Sequence, residues 1–71
     1  MISDAEIEQA CRRVMDADEN RFAVSLCRRG KSGLGYLVGR VVREVPKNEL
    51  TQDFLDRAFQ TFSVLLKDST E

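Results

Sequence analysis

The 71-residue chain contains no histidine. That removes the commonest general base and the commonest zinc ligand. It also leaves Ser25 and Ser32 without an imidazole to activate them as nucleophiles. Cysteine is scarce: Cys11 and Cys27 are too few for a disulfide framework and lack a C-x-x-C spacing. Two reduced thiols in a cytoplasmic protein, each packed as a small hydrophobe, are expected. Apolar runs are short, none nearing the ~20 residues of a membrane-spanning helix. With Asp4 and no apolar core, the amino terminus is not expected to be a signal peptide. Carboxylates are plentiful, but no pair is marked as buried or shielded. The expectation is a protein that is not an enzyme by itself, with no metal, no cofactor and no membrane partner.

What is present is segregated charge. The formal net charge of −1 hides a basic centre. Residues 21–47 hold Arg21, Arg28, Arg29, Lys31, Arg40, Arg43 and Lys47 against Glu44 alone, a net +6. Residues 1–20 carry six acids against two bases, and residues 48–71 carry five against two. A basic centre between acidic arms attracts an anionic partner if the fold leaves it uncovered. Gly30-Lys31-Ser32 imitates the end of a phosphate-binding loop, but Ser25 stands where its opening glycine belongs.

The apolar pattern is helical. Ser3 and Glu6 have the spacing of a capping box, with Ile2 and Ile7 placed for a hydrophobic staple. Ile7, Ala10, Cys11, Val14 and Met15 form one stripe of a helix over about residues 4–17. Leu34, Leu37, Val38, Val41, Val42 and Val45 occupy an arc of about 140° on a second, with Ser32 as N-cap and Pro46 ending the run. The last helix starts near Asn48 or Thr51. Its stripe is Leu50, Phe54, Leu55, Ala58, Phe59, Phe62, Leu65 and Leu66, with Val38 and Phe59 both expected in the core. Residues 21–29 admit two readings. Phe22, Val24 and Leu26 alternate as in a strand, whereas Phe22, Ala23, Leu26 and Cys27 form a helical face with Gly30 as its C-terminal cap.

The middle of the chain resembles the GatB/YqeY-type tail domain, the C-terminal module of the B subunit of tRNA-dependent amidotransferases. The family pattern runs approximately N-P-x-x-V-x-x-Y-R-x-G-K, a short spacer, then L-G-F-L-V-G-Q-V-M-K. Asn20, Val24, Arg28, Gly30 and Lys31 match the first part. Leu34, Gly35, Tyr36, Leu37, Val38, Gly39 and Val41 match the second, with Arg43 for the final lysine. Arg21 replaces the proline, Cys27 the tyrosine and Arg40 the glutamine. The match covers about a third of the chain and the later half of the usual tail. It implies helices throughout, so residues 1–71 are expected to form one small all-α domain. That domain is a bundle of three main helices plus one short connecting helix.

The third helix's outer face then gathers Tyr36, Arg40 and Arg43 beside Gly39, with Arg28, Arg29 and Lys31 at its N-terminal end. The resemblance implies a non-catalytic tRNA-binding accessory domain of a parent amidotransferase or synthetase. Arg28, Lys31, Arg40 and Arg43 would meet phosphates, Tyr36 a sugar or base, and Gly39 would leave the surface bare. Two plainer readings compete. Gly35 and Gly39 serve close helix packing, and the arginines serve solubility through ion pairs with Glu49, Asp53 and Asp56. The competing function is a protein–protein interaction module, an adaptor or inhibitor with no RNA role whose acidic arms and basic centre dock a charged partner; a third is a homo-oligomer in which the valine-rich helix is half an interface.

Overall fold

Ser3 nucleates the first helix as its spacing predicts. Its Oγ accepts the Glu6 amide at 3.2 Å, and the Glu6 carboxylate accepts the Ser3 amide at 3.0 Å. The Ser3 amide first, and second the Ser3 hydroxyl, which donates to the same carboxylate at 3.1 Å, hold the Glu6 carboxyl below its usual range. In the computed structural model, which describes residues 1–68, helix α1 spans Asp4–Asp16. Residues 69–71, including Glu71 of the acidic arm, lie outside the described residues. Ile7, Ala10, Cys11 and Val14 are buried, and Ile2 packs against them from the segment before the helix.

A 3-10 turn, Asp18–Asn20, reverses the chain into α2, Arg21–Arg28. Asn20 is only 2% exposed and donates through Nδ2 to the Val14 carbonyl at 2.8 Å. It thereby satisfies one of the carbonyls that the end of α1 leaves open. The segment 21–29 is thus helical, and no strand occurs among the described residues. Its covered face differs from the expected one. Ala23, Val24 and Cys27 turn inward, which leaves Phe22 about 150° from their centre at ~100° per residue and 71% exposed.

Gly30 ends α2 as expected, at φ 75°. The Lys31 amide donates to the Leu26 carbonyl at 2.9 Å and the Gly30 amide to the Cys27 carbonyl at 3.1 Å, the two bonds of a Schellman cap. Ser32 does not cap the next helix. Gly33 does so, at φ 141° and with no side-chain bond. A Cβ on Gly33 would stand 3.1 Å from Cys27 Sγ and 3.2 Å from the Ala23 carbonyl. The close approach of helices therefore falls at Gly33, whereas Gly35 and Gly39 have open space above them.

Helix α3, Leu34–Val42, buries Leu37, Val38 and Val41. It stops four residues short of Pro46, where the Glu44 and Val45 amides tighten onto the Val41 and Val42 carbonyls at 2.9 and 3.3 Å. A second 3-10 turn, Lys47–Glu49, leads to α4, Gln52–Asp68, which Thr51 caps by accepting the Phe54 amide on Oγ1 at 3.1 Å. Phe54, Ala58, Phe62, Leu65 and Leu66 are buried. Phe59 is a correction: it lies about 90° from the centre of that stripe and is 39% exposed, at the rim of the core. Leu50, before the helix, is likewise at the surface.

The result is an all-α bundle of three main helices, α1, α3 and α4, with α2 as the short connecting helix. Helix α1 packs on both α3 and α4, and α2 closes the bundle against α3. The acidic arms are largely used within the frame. Arg57 of α4 donates to Asp4 at 2.6 Å and to the Ile2 carbonyl at 3.0 Å, and Glu49 accepts the Ile2 amide at 2.9 Å. Among the described residues no helix is long and apolar enough to cross a membrane.

Candidate functional site

Helix α3 turns its apolar stripe inward, so its opposite face carries Tyr36, Gly39, Arg40 and Arg43 as the spacing predicts. Tyr36 is 49% exposed. The Arg40 guanidinium lies over its ring, 5.9 Å from the centroid, within the range of a cation–π contact. Arg40 is not a free cation. It is ion-paired with Glu19 from the turn before α2, and its side chain is 27% exposed. Glu49, Asp53 and Asp56, the acids expected to tie up this face, are engaged elsewhere. Asp53 pairs with Arg57 at 3.4 Å, Asp56 accepts Gln52 at 2.9 Å, and Glu49 holds the amino terminus.

Arg43 is exposed and in no ion pair among the described residues. Together with Arg40 it edges a shallow hollow of about 150 Å³ that also holds Arg13, Glu19 and Glu44. Arg13 and Glu44 pair there at 3.2 Å. Gly39 leaves bare backbone beside these side chains.

The remaining two predicted residues are not on this face. Arg28 lies across α2, in a hollow of about 490 Å³ between α1 and α2 that also takes Arg12, Arg21 and Arg29. Lys31 sits on the turn between α2 and α3, exposed and without an ion pair among the described residues. The six predicted residues therefore divide into an α3 set, an isolated lysine, and one member of a different basic groove. Arg12 escaped the sequence reading because it lies in an acidic arm. Arg21, Ser25, Arg28 and Arg29 share one face of α2 by their i, i+4, i+7 and i+8 spacing, a legible signal once the segment is helical.

A third feature was not anticipated. Phe22 and Tyr36 both line a shallow groove of about 270 Å³ between α2 and α3, with Ala23, Leu26 and Gly33. Neither thiol is activated by its surroundings. Burial, with Glu8 nearby, pushes Cys11 up to about 12, and burial raises Cys27 as well. Among the described residues no three Cys, Asp or Glu side chains converge to hold a metal ion. Comparison with family models, curated proteins and solved structures finds no match.

Proposed function

We propose that this chain is a non-catalytic accessory domain that binds the tRNA backbone in aminoacyl-tRNA biosynthesis. It resembles the tail of amidotransferase B subunits and acts in the cytoplasm beside a parent amidotransferase or synthetase that supplies the chemistry. One observation carries the reading. Arg28, Lys31, Arg43 and Lys47 of the basic centre are exposed and, among the described residues, in no ion pair. Glu49, Asp53 and Asp56 are engaged away from them, so these four cations are left to meet a polyanion. Helical surfaces of this kind bind phosphates without reading bases, which suits recognition of tRNA by shape.

Binding by so few cations is weak and salt-dependent. With about three or four phosphates neutralised, log affinity should fall against log salt with a slope of magnitude roughly 2–4. Fluorescence anisotropy of labelled tRNA over a salt series, with an unrelated duplex as control, measures this. Absence of binding at low salt overturns the reading. A second reading then takes its place, the protein–protein interaction module. The exposed Phe22 and Tyr36 on one groove favour it, since exposed aromatic side chains are common anchors for a protein partner.

A further inference from the structure

We infer that the tRNA phosphates seat in the groove between α1 and α2, on Arg12, Arg21, Arg28 and Arg29, rather than on the Tyr36–Arg40–Arg43 face of α3. The inference rests on the tRNA reading above and moves its contact surface to residues that the motif does not mark, apart from Arg28. Four guanidiniums line this hollow against two carboxylates, Asp16 and Asp18. Val24 and Met15 form its apolar floor. Arg21, Arg28 and Arg29 rise from one face of α2, and Arg12 faces them from α1.

The guanidiniums are held only lightly. Arg12 pairs with Glu8 at 2.9 Å and Arg21 with Asp18 at 2.7 Å, each within its own turn of helix and with both partners well exposed. Exposed pairs of this kind contribute little and exchange readily for a stronger anion. Arg29 donates to Ser25 Oγ at 3.0 Å, which orients it along the groove. Arg28 has no partner among the described residues. The α3 face offers less: Arg40 is occupied by Glu19, Arg13 by Glu44, and Arg43 is left as its one unpaired guanidinium among the described residues.

The groove also indicates what kind of anion it takes. Arg21 and Arg28 are seven residues apart, about 10 Å along the axis of α2. Charges so spread suit successive phosphates of a chain better than one small anion, and the planar fork of each guanidinium suits bidentate contact with phosphate oxygens.

The test compares wild type, Arg28→Ala with Arg29→Ala, and Arg40→Ala with Arg43→Ala in tRNA anisotropy across a salt series. Circular dichroism confirms that each variant is folded. The groove variant is expected to lose affinity about tenfold or more, as two charge-assisted contacts vanish. Its salt slope should shrink by roughly 1.4–1.8, the share of two phosphates. The α3 variant should keep most of both. Replacing Arg28 and Arg29 by Lys should keep the slope while weakening affinity, since charge remains and the fork is lost. If wild type binds and the groove variant binds equally well, the groove is not the contact surface although the domain still binds RNA. If wild type does not bind, both statements fall.

Discussion

Phe62 and Phe59 are three residues apart on α4, yet truncating them to Ala should have very different effects. Phe62 is fully buried in the contact with α1 and α3, whereas Phe59 is 39% exposed. Phe62→Ala loses the transfer energy of the ring and leaves a cavity that neighbours fill incompletely, about 3–5 kcal/mol. At Phe59 water occupies the vacated space, so only the transfer term of the covered part is lost, about 1–2 kcal/mol. A domain of this length has a total stability of about 4–11 kcal/mol. Phe62→Ala therefore removes a large share of it, while Phe59→Ala leaves a cooperative transition. Urea unfolding followed by circular dichroism at 222 nm reads both. At a slope of about 1 kcal/mol/M, the first shift is several molar and the second about 1–2 M. Equal losses at the two positions, or a larger one at Phe59, would refute the rotation of α4 described here.

Gly33→Ala should destabilise by about 1–3 kcal/mol, because φ 141° and two contacts near 3.1–3.2 Å both oppose a Cβ. Gly39→Ala, in the interior of α3 under open space, should instead stabilise by about 0.5–1 kcal/mol; the same unfolding assay checks both signs. At pH 8 a thiol reagent should modify Cys27 well before Cys11, as mass spectrometry of the trapped adducts would record, since Cys11 is buried and its thiol pushed up to about 12. The native state keeps the Cys11 proton above the ordinary 9.0 at which the unfolded chain releases it, so stability should decline as pH rises from about 9 towards 12. A stability that rises over that interval would contradict the burial of Cys11.

The capping box, the stripes of α1 and α3 and the Gly30 cap were legible because each is a local rule with a fixed spacing. What the sequence concealed is rotational. A stripe with apolar residues on its flanks does not say which flank meets a neighbour. On α4 the packing of α1 and α3 selects the side of Phe54 and Phe62 and leaves Phe59 at the rim. On α2 the narrow passage at Gly33 draws Ala23 and Cys27 inward, which sends Phe22 out. The end of α3 was misjudged for a related reason: Val45 keeps the apolar period but is reached through a tightened turn, so the pattern outruns the helix. On the surface the shared side of Tyr36, Arg40 and Arg43 could be read from one helix alone. The Arg40–Glu19 pair and the meeting of Arg12 with Arg28 could not, since both join elements whose relative placement is tertiary.

The same division sorts the motif on which the functional reading leans. Asn20 closes α1, Val24, Leu37, Val38 and Val41 form core, and Gly30 makes the turn that its φ requires. Those positions are explained by folding a helical hairpin onto α1, so they say little about RNA. Arg28, Lys31, Tyr36, Gly35, Gly39 and Arg43 do not pack in the core. Gly39, in the interior of α3, even weakens it by about 0.5–1 kcal/mol relative to Ala, with nothing above it to accommodate. Core packing does not account for these surface positions. Arg28 alone belongs both to the motif and to the guanidinium groove. Its removal is therefore the substitution on which the tRNA reading and the placement of the phosphates meet.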